Sequence, residues 1–336
     1  MWDLHNTLSL IWAGLLAFGV LAYVVLDGFD LGTGILFLVE HDKHDRDVLV
    51  QSIAPTWDGN ETWLVFGGAG LYAMFPLAYA VVLPALYPLI IAMLLALILR
   101  GVSFEFRFRA TSYGQFWWDI AFCGGSIVAA FCQGLILGGL LQGIHVENGI
   151  YAGGWWDWLT PFTLLCGVAT VIGYALLGAC WLIWRTEGEL QARNRRYAAT
   201  FAVATLALII LVSLLTPWLH PQYARRWFAW PGILLTSPVP ILVAILALVF
   251  RRGLREGHQW TPLLCAELWF ALCFAGLGVS LFPLIVPPSI TIFQAASPTM
   301  SQIFLLVGSV IMIPIILTYN AYAYWIFRGK VQREAR

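Results

Sequence analysis

Asp27 and Asp30 stand three residues apart in LDGFDLG (26–32), inside an otherwise apolar run from Leu8 to Val39. Carboxylates are costly in so apolar a segment, and those at membrane depth are more often functional than ornamental. On a helix the two lie about 60° apart on one face. Gly28 and Gly32, spaced G-x-x-x-G, fall on a nearly opposite face suited to close helix contact. The segment therefore reads as a helix buried on two sides, one against a near neighbour and one against something polar. The aspartates are either a structural pair bonded to backbone or arginine, or part of a proton or ion site.

Further acids can be weighed in the same way. In APTWDGNETW (54–63), Asp58 followed by Glu61 reads as a helix N-cap with its reciprocal partner, or as a carboxylate at the mouth of a proton path. Asp27, Asp30 and Asp58 all fall toward one membrane side and could form one acidic cluster. In RGVSFEFRFR (100–109), Glu105 sits among Arg100, Arg107 and Arg109, which reads as an ion-paired interfacial loop. Asp119 and Asp157 stand beside tryptophans and read as capping or interface anchors. Glu267, in LLCAELWFALC, has no obvious local partner, so a contact with a neighbouring helix and a functional role remain open.

The elements that position these groups are set by composition. The chain has 336 residues, 60% hydrophobic and 11% charged, far below the charge content of a soluble domain. Nine segments are long and apolar enough to span a bilayer as helices: about 8–39, 61–79, 81–99, 116–141, 160–184, 198–219, 231–250, 261–286 and 300–327. The run from Trp63 to Leu99 must divide, near Pro76 to Pro84. TSPVP kinks the segment that begins at 231. Of eighteen Lys and Arg residues, all but Arg225 and Arg226 fall in alternate loops and the C-terminal tail. The positive-inside rule then puts the N-terminus outside (periplasmic) and the C-terminus in the cytoplasm. The stretches 40–60 and 142–159 read as loops, the second Trp-rich at headgroup level. The apolar run has no basic residue before it, which does not fit a cleaved signal peptide. Cys123, Cys132, Cys166, Cys180, Cys265 and Cys273 all lie in apolar stretches without C-x-x-C spacing and read as reduced packing residues.

Redox chemistry has no visible seat. The six histidines lie near span ends or in loops, and mid-span Met93 and Met312 have no histidine at matching depth to ligate haem. No phosphate loop, dinucleotide fingerprint or metal-ligand spacing is present, and nothing points to nucleic acid. If the chain belongs to an enzyme, a partner carries the cofactors. The competing reading is an ion-coupled secondary transporter using the intramembrane aspartates, against which an odd span count and the absence of visible repeats weigh.

LDGFDLGTGILF, followed by SIAPTWDGNETWLVFGGAGLYAMFPLAYA, closely resembles subunit II of the cytochrome bd-type quinol oxidases. GVSLFPLIVPPSITIFQAASPTMSQ and TYNAYAYWIFRGKV resemble that family's last two spans, and the short chain looks most like the cyanide-insensitive branch. The resemblance implies an all-α membrane protein of nine transmembrane helices, two four-helix bundles plus one peripheral helix. The first bundle would cover about 1–142, the second about 155–286 and the last helix about 300–327. It implies a partner, subunit I, carrying haem b558, haem b595 and haem d, which oxidises quinol while dioxygen is reduced to water with protons from the cytoplasm. By position, Asp58 resembles a carboxylate lining a proton channel, with Asp27, Asp30 and Glu105 as further proton-path candidates. Trp57 and Trp63 match aromatic places of the same motif. A structural quinone bound here, and a small single-helix accessory subunit, are left open. The implied setting is the bacterial cytoplasmic (inner) membrane, multi-pass and in contact with lipid.

Overall fold

The computed structural model describes residues 3–331, which fold almost entirely as helix. In chain order these are α1 (Leu4–Ile35), α2 (Lys43–Ile53), α3 (Trp57–Met74), α4 (Pro76–Arg107), α5 (Ser112–Gln142), α6 (Pro161–Arg185) and α7 (Gly188–Leu219). There follow α8 (Pro221–Phe228), α9 (Gly232–Thr236), α10 (Pro238–Arg255), α11 (Thr261–Leu281), α12 (Ile292–Ala295) and α13 (Thr299–Ile326). Two short antiparallel hairpins, Val146–Glu147 with Ile150–Tyr151 and Leu284–Val286 with Ile290–Thr291, close the turns after α5 and α11. Among the described residues eight helical segments are long and apolar enough to cross a membrane, so the protein is a multi-pass membrane protein. Only α3, the counterpart of the segment expected at 61–79, falls outside that set. Its first turn carries Asp58, Asn60 and Glu61, which lower its hydropathy.

Local chemistry explains the breaks. Phe75 separates α3 from α4 with φ −130° and ψ 60°, because the ring of Pro76 excludes the helical region for the residue before it. Pro76 then starts α4 at a position whose missing N–H costs nothing, whereas Pro84 and Pro88 lie within the helix. At Ser237 the expected kink separates α9 from α10. The stretches expected to be loops depart in two places. Within 40–60, Asp42 caps α2 by accepting from the N–H groups of His44 and Asp45. RGVSFEFRFR is not a loop: α4 runs on through Arg107, because Arg100 and Arg107 find buried acidic partners rather than water.

The helix α6 is the centre of the chain, with 72% of its most apolar window buried, against 6% for α13. It packs on α1, α5 and α7, and α1 in turn packs on α3 and α5. The expected glycine face is used here. Gly32 of α1 meets the backbone of Tyr174 and Gly178 on α6, and Gly178 meets the backbone at Gly32, while Gly28 lies against the side chains of Tyr174 and Leu177. All six cysteines are free and five of them are buried.

A Cβ at Gly32 would run into rigid backbone. Gly32→Ala is therefore expected to cost at least the upper end of the ~1–3 kcal/mol typical of overpacking. Gly14→Ala, where a Cβ meets nothing within 4 Å, should be close to neutral. Thermal denaturation of the two purified variants checks this.

Candidate functional site: a buried carboxylate–guanidinium cluster

The two opening aspartates do face a polar partner, and it comes from elsewhere in the chain. Asp27 and Asp30 project from the last third of α1, Asn60 and Glu61 from the first turn of α3, and Arg100 from the second half of α4. The Arg100 side chain is fully buried, and its Nη1 donates to Asp27 Oδ1 at 3.2 Å and to Glu61 Oε1 at 2.7 Å. Asn60 Nδ2 donates to Asp30 Oδ2 at 2.7 Å and to the Leu26 carbonyl at 3.3 Å. Its Oδ1 accepts from the Tyr324 hydroxyl of α13 at 2.9 Å. Four helices are tied at one point.

Burying a charge is tolerable only where a partner and hydrogen bonds replace water. Arg100 meets that condition with one nitrogen, while its Nε and Nη2 remain without a bond. Asp27 Oδ2 and Asp30 Oδ1 are also buried without a partner. Three carboxyl groups thus surround one guanidinium, with two free carboxyl oxygens available to a proton or a water. Beside Asp27 lies Tyr23. Its hydroxyl accepts from Gln133 Nε2 at 2.8 Å, and Gln133 Oε1 accepts from Tyr174 at 2.7 Å, so a second hydrogen-bonded line leads from the cluster toward α5 and α6.

The remaining sequence candidates are dispersed. Asp58 is exposed and, among the described residues, makes no ion pair. It is not the N-cap of α3. Thr56 holds that place without a side-chain cap, and Glu61 turns inward to Arg100 instead of back toward the helix start. The acidic cluster therefore contains Asp27, Asp30 and Glu61 but not Asp58. Glu105 is exposed and, among the described residues, reaches only Arg109, at 3.9 Å. Trp57 stacks on Phe104 with ring centroids 4.7 Å apart. Trp63 is buried against Phe18 and Phe66, with its indole N–H unbonded. Asp157 anchors its loop by accepting from Gly154 N–H and from the Tyr151 hydroxyl. Burial, and then the hydrogen bond to Asp157, push the Tyr151 phenol up to about 12.

Asp119 corrects its expected role as a cap or interface anchor. It accepts from Arg107 Nε at 2.5 Å and from Arg46 Nη1 at 3.0 Å. Arg107 also reaches Asp47 at 2.6 Å. Nearby, Arg193 of α7 pairs with Glu40 at 3.1 Å and with Asp45. This second network lies one to two turns beyond Arg100 and joins α2, α4, α5 and α7. Glu267 is part-buried and forms no hydrogen bond or ion pair among the described residues. No group of three or more His, Cys, Asp or Glu among the described residues is placed to hold a metal ion.

Comparison with known proteins places the chain among relatives. The sequence profile of the family described as cytochrome bd terminal oxidase subunit II matches residues 8–327. The cytochrome bd-I ubiquinol oxidase subunit 2 of Escherichia coli K12 is 30% identical, with 98% of this chain and 97% of that protein covered. The cytochrome bd ubiquinol oxidase subunit 2 of Bacillus subtilis is 28% identical over 99% and 98%. A chain in the structure of bd oxidase from Geobacillus thermodenitrificans superposes with a TM-score of 0.77, covering 96% of this chain and 98% of that one. At 16% identity, that superposition speaks for the fold alone.

Arg100→Gln leaves the buried carboxyl groups without their cation and is expected to cost about 3–5 kcal/mol, as when one partner of a buried ion pair is removed. Adding Asp27→Asn should recover part of that loss, so the two costs will not sum. Melting temperatures of the three variants close the cycle.

Proposed function

This chain belongs to the cytochrome bd terminal oxidase subunit II family, and on that premise we propose that it is the haem-free subunit of a bd-type quinol oxidase that helps line a proton path. As a family member it is a component of a quinol oxidase complex whose other parties are subunit I, quinol, dioxygen and haem. We assign haem b558, haem b595 and haem d to subunit I, because the residues here do not fit an axial-ligand site. His5 is engaged with Thr299 and Gln302, His220 with the Gln142 carbonyl, and the other four histidines are exposed.

The observation that carries the reading is the Arg100 cluster. Reducing dioxygen to water at a buried centre consumes protons, and protons enter lipid only along groups that accept them. Asp58, exposed at the start of α3, can receive a proton from water. Glu61, one turn inward with 23% of its side chain exposed, comes next, and fully buried Asp27 and Asp30 follow, held beside it by Arg100 and Asn60, with the proton passing between carboxyl groups and water. Glu105 stands outside that line and has weaker support. Trp57 and Trp63 serve packing in this chain. A quinone bound near them, a small single-helix accessory subunit and surrounding lipid complete the proposed assembly.

We take α3 as the ninth span, which puts the termini on opposite sides of the bacterial cytoplasmic (inner) membrane. The basic end carrying Arg46, Arg107 and Arg193 then faces the cytoplasm, and two four-helix bundles with α13 outside them are the proposed arrangement. Membrane potential then arises from proton uptake at that cytoplasmic end.

Asp58→Asn is expected to lower quinol-oxidase turnover several-fold while the haem spectrum of the purified complex stays normal. Lost haem would make Asp58 a structural residue instead. For topology, a phosphatase fused after Arg336 should be inactive and a fluorescent protein bright, whereas a cysteine placed at Asp3 should react with an impermeant thiol reagent added outside. Labelling from the cytoplasm alone would reduce the spans to an even number.

A further inference from the structure

The last residue of α6, Arg185, presents the opposite situation to Arg100. Its residue surface is only 4% exposed, yet among the described residues it makes no ion pair, and its Nε and Nη1 are buried without a hydrogen-bond partner there. The guanidinium lies over the rings of Trp181 and Trp184, 5.4 and 5.6 Å from their centroids. These stacking contacts offer some cation–π attraction but no hydrogen-bond acceptor. Neighbouring carbonyls are already engaged. Lys330 Nζ donates to the Thr186 carbonyl at 3.0 Å, and Gln191 Nε2 donates to the Ile183 and Thr186 carbonyls. Glu187 is exposed and forms no ion pair with Arg185.

A long cationic side chain at a span end ordinarily extends its head into water. Arg185 instead points into a cavity lined by Ser52, Thr56, Trp181, Trp184, Tyr324 and Phe327. The space left there for the centre of a water-sized particle is about 10 Å³, room for one atom-sized group rather than a whole ligand. A buried guanidinium without a counter-charge is costly, and a neutral water does not supply the missing charge.

We propose that this cavity binds the phosphate group of an anionic ligand, which places a single oxygen against Arg185 while its other oxygens remain at the mouth. Three features fit phosphate. Its tetrahedral oxygens let one enter a water-sized space. The guanidinium has two unbonded donors, Nε and Nη1, which lie on different edges of its plane, so an oxygen in the cavity accepts from one of them. Close by stand Lys330, which bonds the Ile183 and Thr186 carbonyls, and the half-exposed ring of Trp260 against Trp184, a basic and aromatic surround of the kind that meets headgroups at a membrane interface. A phospholipid headgroup and free inorganic phosphate share this chemistry. The inference does not rest on the proton-path reading, although Tyr324, which lines this cavity, also bonds Asn60 of the cluster.

The test uses the complex purified with its partner subunit, stripped of lipid by detergent exchange. Phosphatidylglycerol in mixed micelles and inorganic phosphate are titrated separately, with the melting temperature as readout and chloride as the control anion. We expect a saturable rise with one or both phosphate probes, weakened at least tenfold in Arg185→Gln and retained at intermediate strength in Arg185→Lys. A response to phosphatidylglycerol but not inorganic phosphate identifies a lipid; a response to both identifies the phosphate group as sufficient. No saturable response in the unaltered complex overturns the proposal, whether or not the Gln variant assembles. So does an equal response in Arg185→Gln, or one that chloride reproduces.

Discussion

Lipid supplies no counter-charge, so every ionised group at membrane depth must bring its own. Arg100 is where this chain meets that demand. Its guanidinium is reached by Asp27 from α1 and Glu61 from α3, and Asn60 links Asp30 and Tyr324 to the same point. The relative positions of α1, α3 and α4 are therefore fixed by one cation, because sliding any of them would leave a charge alone. The opposite side of α1 is fixed differently. Gly32 and Gly178 bring the α1 and α6 backbones into contact, where dispersion and shape rather than charge hold them. One helix is thus pinned on one side by electrostatics and on the other by close packing.

The parts of this arrangement legible in the sequence were those whose signal is local. Apolar length gives the spans, proline gives the break before Pro76, and i to i+4 spacing gives the glycine face. The aspartate pair is conspicuous because few polar residues surround it. Its partners were not legible, since Asn60, Glu61, Arg100 and Tyr324 lie 30 to 73 residues away in the chain or farther still. Local pattern also misled. Asp58 and Glu61 have the spacing of a capping pair, but a buried guanidinium gains more from Glu61 than a helix terminus does, and the tertiary contact wins. Arg100 resembled the end of a span for the same reason: basic residues usually mark the interface, and only a buried acid lets a helix continue through one. Asp119 beside two tryptophans looked like an anchor, and nothing near it in sequence reveals Arg46 or Arg107.

The charge asymmetry on which the proposed orientation rests also has a structural meaning that counting misses. Arg46, Arg107 and Arg193 are paired with Asp119, Asp47, Glu40 and Asp45 at the same end of the molecule. Those acids cancel much of the positive charge in the folded protein while leaving the count of basic residues unchanged. Topology responds to that count rather than to net charge. The same residues can therefore orient the chain during insertion and bind its helix ends together afterwards. Arg185 differs from all of them, since it is buried at a span end and pairs with no acid among the described residues.

A proton route and a structural lock place opposite demands on a carboxylate, and on the proposed reading the cluster must meet both. A lock needs oxygens fully engaged; a relay needs an oxygen able to gain and lose a proton without dismantling its surroundings. Asp27 and Asp30 each have one oxygen engaged and one free, so each can hold its helix with the first while the second changes protonation. Exposure falls from Asp58 through Glu61 to the two buried aspartates, which is the order a proton entering from water would require. Arg100 keeps that inner end compatible with negative charge but, with a single guanidinium among three carboxyl groups, does not neutralise it completely. On the proposed reading, this incomplete neutralisation is the useful feature: a fully paired cluster would be a better lock and a poorer path.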